Sequence, residues 1–406
     1  MKLNISRAKA FRIVRIGHIG LALAVFAGPV WAQEQKPEHP RYTFTDLGAL
    51  GGTSSQAFYV NTHGAVVGQA SIPDGSQHAV LWLKGLKKDL GTLGGANSVA
   101  FSGPNKRGHI VGWAETGSLD SNKEDYCGFG THLTCLAFLW EPGPWGHGVM
   151  TPLQTLGGNN AEANSINHRG EVAGSAENST TDSTCPGQTV APQIVQFKPV
   201  IWKKGDIEEL PTVNGDPDGV AYQINDDGDA VGTSGTCSAY NFNILANLFP
   251  VHALLWHKGS PKDLGSLGGM TGNIAFAINN SGDVVGVSDL SGDNTFDAFL
   301  WKNGKMHDLH TLPGDAASVA LSINDIGDVV GVSIDKSGNL RPVLWDDGNM
   351  TDLSTVVPSG STLIPFIAEY INSRGVIIGS AIDPTNGSLH AFKLTPCDGD
   401  HRDDDR

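Results

Sequence analysis

The sequence predicts an all-β fold, a seven-bladed β-propeller with four antiparallel strands per blade. Three observations carry that prediction: an excess of glycine, a phrase that recurs seven times, and chain ends that each hold part of one blade. Of 406 residues, 52 are Gly, about 13% against a usual ~7%. So many glycines imply many tight turns, which a mostly helical chain does not need.

The recurring phrase is Ile-Asn-x-x-Gly-x-Val-Val-Gly. Its Asn appears as Asn61, Asn105, Asn167, Asn225, Asn279, Asn324 and Asn372, paired with Gly64, Gly108, Gly170, Gly228, Gly282, Gly327 and Gly375. Repetition on this scale is the mark of a repeat architecture. In the unit around Ile278, Asn273 to Ile278 and Asp283 to Ser288 read as the first two strands, joined by an Asn-Asn-Ser-Gly turn. Ala298 to Trp301 and Lys305 to Leu309 read as the third and fourth, joined at Asn303-Gly304. Runs this short and β-branched, separated by Asn-Gly turns, are strands rather than helices.

Three further regularities fit. An Ala-Phe-Leu-Trp run follows each first phrase, and its Trp recurs as Trp82, Trp140, Trp202, Trp256, Trp301 and Trp345. Tryptophan at a regular place in an apolar strand reads as core, not as a sugar-stacking platform. Four residues before the Asn stands Ala in six units, as in Ala275, with Ala100 one residue earlier. A small side chain fits where blades converge, and Ile274, Phe276 and Ile278 are expected to alternate onto the blade-packing face. Finally, Tyr42 to Leu47 matches a fourth strand, while His390 to Leu394 is a third strand with no fourth after it. The N-terminal strand is therefore expected to complete the last blade and close the ring.

The phrases resemble the HAF-type extracellular repeat family. His78-Ala79, His252-Ala253 and His390-Ala391-Phe392 carry its His, whereas Leu136, Lys198, Asp297 and Arg341 replace it elsewhere. The resemblance covers residues 42 to 394 and implies secretion and a repeat fold, with no reaction attached.

Residues 1–32 read as a secretory signal peptide. Lys2, Arg7, Lys9, Arg12 and Arg15 precede a short apolar stretch, and Val30-Trp31-Ala32 supplies the cleavage site. Residues 33–41 form a linker, 42–396 the propeller and 397–406 an acidic disordered tail. No stretch is apolar enough for a membrane span. Lys+Arg number 27 and Asp+Glu 42, a net charge of −15. Losing the five leader cations takes the mature chain to −20, which argues against nucleic-acid partners.

An oxidising compartment lets cysteines pair. Cys127 is expected to pair with Cys135, and Cys185 with Cys237, leaving Cys397 free. The three phrase histidines occupy equivalent strand ends in separate blades, too far apart for one ion. Calcium at Asn225-Asp226-Asp227-Gly228-Asp229 stays open, although the twelfth place of that loop is Thr236 rather than Glu. No other cofactor or metal is expected. The Gly-Gly pairs at 51–52, 94–95, 157–158 and 268–269 precede strands, so they read as inter-blade turns, not phosphate cradles.

The sharpest departure from repetition is a loop-length series. From the last Gly of the phrase to the Trp is 28 residues in blade two, 28 in blade three and 24 in blade four, against 14 or 15 elsewhere. Insertions of this kind map to one face, often the binding face. Tyr126, Phe129, His132, Tyr240, Phe242 and Phe249 are its candidate binding residues. The expectation is a secreted, monomeric, non-catalytic binding or scaffold protein for an extracellular protein or glycan. The alternative is a carbohydrate-active lyase or hydrolase using Glu162 and Glu369, which break the apolar pattern of the innermost strands.

Overall fold

The computed structural model describes residues 42–144, 147–185, 193–237, 251–358 and 360–397. The leader, the linker up to residue 41 and the tail from 398 lie outside the described residues. Seven four-stranded antiparallel sheets form a ring. The last sheet is ordered Tyr42–Asp46, Leu389–Pro396, Ile377–Ile382, Ile364–Ile371, so the first strand of the chain is the outer strand of the final blade. Tyr42 faces Pro396 and Asp46 faces Phe392 in this seal.

The first strand of each blade is innermost, and these strands touch their neighbours all round the axis. They run Ser55–Val60, Gly94–Ser102, Gly157–Ile166, Asp218–Ile224, Gly268–Ile278, Ala317–Ile323 and Ile364–Ile371. The core lies between blades: Val231, Ala275, Val284 and Phe299 pack as one cluster with Trp301. The repeated Trp residues are buried. The indole N–H groups of Trp82, Trp202, Trp256 and Trp345 donate to carbonyls of Gly48, Gln154, Pro211 and Leu309, in segments entering from the preceding blade. Each Trp thus joins two blades through its polar edge as well as its area.

The repeated Asn has a physical reason. In blade five the Asn279 carboxamide oxygen accepts from Ser281 N (3.0 Å) and Asp283 N (2.9 Å), holding the turn. Its Nδ2 donates to the Asn324 carbonyl of the next blade at 3.1 Å. The same donation runs Asn105 to Asn167, Asn167 to Asn225, Asn225 to Asn279, Asn324 to Asn372 and Asn372 to Asn61. Asn61 reaches Pro104 instead, because blade two has one extra residue before its Asn. The result is a closed ring of seven amides at one end of the axis. Ionised Asp lacks the donor that this geometry uses.

Each inner strand also carries a β-bulge directly after its Ala, as between Ala275 and Ala277 or Ala368 and Tyr370. The unpaired residues are Phe58, Phe101, Asn164, Tyr222, Phe276, Leu321 and Glu369. This corrects the simple alternation expected from sequence. Phe276 lines the axis, not the blade-packing face, because one extra residue reverses the facing of side chains beyond it. Opposite each bulge stands the last Gly of the phrase. A Cβ on Gly286 would lie 1.9 Å from the Ile274 carbonyl oxygen, so no other residue fits.

Candidate functional site

The seven bulges build an axial chamber of about 80 Å³. Its wall combines the aromatic side chains Phe58, Phe101, Tyr222 and Phe276 with Asn164, Leu321 and the Glu369 of blade seven. The Glu369 Oε1 is enclosed and has no hydrogen-bond partner. Burial pushes this carboxyl up to about 8, so it holds its proton at neutral pH.

Above the chamber, at the Asn-turn end, a polar vestibule of about 120 Å³ opens outward. Its rim includes Thr62, His168, Asp226, Asn280, Asp325 and Ser373, which directly follow the ring asparagines. The Asn280 amide donates to Asp325 through its backbone N (2.9 Å) and its Nδ2 (3.1 Å), and accepts from Asp226 N (3.0 Å). Tyr59, Ser165, Gln223 and Tyr370 line both spaces. The rings of Tyr59 and Tyr370 stand 4.5 Å apart.

At the other end of the axis the insertions take over. The blade-two insertion folds inward, and Tyr126, Cys127 and Cys135 join Phe58, Val99, Trp113, Phe197 and Val220 in one apolar cluster, with Phe101, Phe129 and Tyr222 packed against it. Tyr126 is 2% exposed. It therefore serves as a plug rather than as the surface expected from sequence. Its hydroxyl lies 2.8 Å from Ser175 Oγ, which donates to Glu162 at 3.2 Å. Phe129 and His132 are half-buried, with His132 Nδ1 3.0 Å from the Lys123 carbonyl. Tyr240, Phe242 and Phe249 lie outside the described residues.

Glu162 lines neither cavity, while Glu369 lines the chamber. The structure does not bring the two carboxylates to one mouth as paired general acid and base.

The expected disulfides Cys127–Cys135 and Cys185–Cys237 are both present, and Cys397 is free. Around them a carboxyl network joins the insertions of blades two and three. Glu124 Oε1 accepts from Ile194 N at 2.6 Å, and Glu177 Oε2 accepts from Asn160 N and Asn160 Nδ2, both at 3.0 Å. Gln193 Nε2 bridges the two acids at 3.4 Å from Glu124 and 2.8 Å from Glu177. Burial, then the charge of Glu124, raises the Glu177 carboxyl, and burial raises Glu124 as well. Beside Cys185, burial and then Asp182 push Asp218 up to about 9, while Asp182 stays low.

One part of this network was missed in the sequence. Glu115, Glu177 and Asp289 each stand three residues after the phrase Gly, opposite a Gly-Gly pair. A Cβ on Gly95, Gly158 or Gly269 would meet the acid's own Cβ at 2.5, 2.4 and 2.3 Å. The co-occurrence of Gly-Gly with an acid about twenty residues later was a readable signal.

The phrase histidines face aspartates of the following strand. His78 meets Asp89 at 2.9 Å, His252 meets Asp263 at 2.8 Å and His390 meets Asp46 at 3.0 Å. In blade five Asp297 replaces the His and lies near Asp308 and His310. Burial, then Asp308, raises Asp297 to about 6. In the Asn225 turn, the Asn225 oxygen accepts from Asp227 N and Asp229 N, and Asp229 pairs with His257 at 2.9 Å. Those oxygens already have protein partners.

No family model and no curated protein matches the chain. Among solved structures it is similar to a Mycobacterium tuberculosis puromycin-hydrolyzing peptidase, with TM-score 0.47 and 11% identity over 85% of this chain and 54% of that one. A gluconolactonase from Xanthomonas campestris gives 0.36 and 9%, covering 88% and 90%. AofleA from Arthrobotrys oligospora gives 0.37 and 9%, covering 77% and 89%. The chain spans about half the length of the peptidase. At such scores these likenesses bear on neither activity nor ligand.

Proposed function

We propose that this is a secreted, non-catalytic binding protein of the HAF-type repeat family, recognising an extracellular protein or glycan through the insertion face of blades two to four. One observation carries the reading: the described parts of the insertions are cross-linked between blades. Two disulfides and the Glu124–Gln193–Glu177 network fix loops from three blades against one another. A preorganised surface loses little conformational entropy on binding, which is why rigid loops make good recognition surfaces. Disulfides suit export to an oxidising compartment. Among the described residues no helix is long and apolar enough to cross a membrane. The separation of Glu162 from the chamber that holds Glu369 favours binding over glycoside cleavage.

The test is a panel of extracellular polysaccharides and glycoproteins, scored for capture and for product release together. Saturable capture without product, lost when residues 121–130 become a Gly-Ser linker, is the expected outcome. Product release that vanishes in Glu369→Gln or Glu162→Gln would replace this reading with the catalytic one.

A further inference from the structure

We propose that the axial chamber is a binding site for a small organic cation, a methylated or primary alkylammonium that enters from the Asn-turn end. The proposal is independent of the insertion face. Three features of the chamber point to this ligand chemistry.

The wall is one. Phe58, Phe101, Tyr222 and Phe276 line the chamber alongside Asn164 and Leu321, and Tyr59 and Tyr370 line both it and the vestibule. Aromatic faces attract a cation electrostatically, and most strongly where water is excluded. The lone acid is another. Among the described residues, Glu369 is the only Asp or Glu lining the chamber and no Lys or Arg lines its wall, and the Glu369 Oε1 has no partner. A buried polar atom without a partner is costly, so such an atom in a native fold calls for an explanation. An ammonium N–H would satisfy Oε1 while its methyl groups face the rings.

The approach is the third. Asp226 and Asp325 stand on the vestibule rim above Tyr59 and Tyr370, and among the described residues no Lys or Arg lines the vestibule. Acidic walls around a narrow entry concentrate cations. At the opposite end the blade-two insertion packs against Phe58, Phe101 and Tyr222, which favours the vestibule as the entry.

Size sets the ligand. A cavity of roughly 150 Å³ takes benzene. The chamber's about 80 Å³ therefore suits about three or four non-hydrogen atoms, such as dimethylammonium or trimethylammonium. Binding carries a proton balance. The ligand arrives as a cation, Glu369–COOH becomes carboxylate, and the released proton passes to solvent. The other titratable groups facing the two spaces are Tyr59, Tyr222, Tyr370, His168, Asp226 and Asp325.

The experiment is calorimetric titration of the purified chain with dimethylammonium chloride at pH 7, in buffers of differing ionisation enthalpy. Isopropanol is the neutral near-isostere and potassium the inorganic control. One saturable site with close to one proton released per ligand is expected. Glu369→Gln, nearly isosteric, should weaken binding at least tenfold and abolish the proton release. Phe276→Leu should weaken binding several-fold and keep the release. Circular dichroism confirms that both variants fold. No saturable heat up to 50 mM ligand, unchanged affinity in Glu369→Gln, equal binding of isopropanol, or tighter binding of potassium would each overturn the proposal.

Discussion

At the Asn-turn end of the ring, blades are joined by amide side chains donating to backbone carbonyls. At the insertion end, blades two, three and four are joined by carboxyl groups and by sulfur. The first device uses seven copies of one residue and carries no charge. The second lies in the long insertions, and burial raises its Glu177 and Asp218 carboxyls while Asp182 stays low. The contrast separates what closes the ring from what distinguishes this chain within its repeat pattern. Repetition supplies the scaffold, and local exceptions supply an asymmetric face.

The largest expected effect breaks the insertion end. Cys185 and Cys237 are 52 residues apart, and loop-closure entropy puts their link at about 4 kcal/mol. The Cys185→Ser, Cys237→Ser double variant should lose that much in urea unfolding. A loss below about 1 kcal/mol would mean the carboxyl network holds blades three and four by itself. The eight-residue link Cys127–Cys135 should be worth about 2.5 kcal/mol by the same relation.

Next comes the amide ring. Asn279→Ala removes two accepted bonds and one donated bond, a loss of about 3 kcal/mol if each buried bond is worth about 1. A loss confined to the turn, with no change in cooperativity, would show that the ring does not couple blades.

A pH series sharpens the comparison, because the two ends respond with opposite sign. Glu177, Asp218 and Glu369 are raised in the fold, to about 9 for Asp218 and about 8 for Glu369. The folded state therefore binds more protons than the unfolded one between pH 4.5 and 9, and stability falls as pH rises through that window. Glu171, at the Asn-turn end, behaves oppositely. Burial alone would raise it, but Lys203, Asn167 and Arg169 together lower it to about 2. Its contribution is present above about pH 4.5 and is lost as pH falls towards 2. The melting temperature should peak near pH 5 and fall progressively towards pH 9. Glu177→Gln should flatten the alkaline limb. A profile that rises monotonically to pH 9 would contradict the assignment of protons to the insertion end.

The smallest effect belongs to the phrase histidines. His252→Ala breaks an exposed pair with Asp263, worth about 0.5 kcal/mol or less. A larger loss would mean that the His–Asp pair does more than decorate the strand.

Much of the scaffold was legible because repetition averages out local ambiguity. Seven Asn-Gly turns and the split final blade specified both the count and the closure, and the series from Gly112 to Trp140 exposed the long insertions. The chamber was less legible. Strand periodicity assigns Phe276 to one face, and only the bulge after Ala275 turns it to the axis. That bulge depends on the missing side chain of Gly286 on the neighbouring strand, a pairing invisible to any single-strand pattern. The inward fold of Tyr126 was hidden for a related reason: an aromatic residue in a surface insertion carries no mark of which way its loop turns. Glu369 was found because it breaks an apolar run, whereas Glu177 and Asp218 sit among polar neighbours where an acid draws no notice.

The seal between residues 42–46 and 392–396 sets an order on assembly. The first strand to be synthesised has no partner until the last has emerged, so any shorter nascent chain is an open arc with two raw ends. Contacts spanning 336 and 344 residues, from Ala391 to Ser55 and from His390 to Asp46, are among the last to form. Pairings so remote in sequence make for slow folding. A ring that stays unclosed until residues 389–396 have been made also remains threadable up to that point.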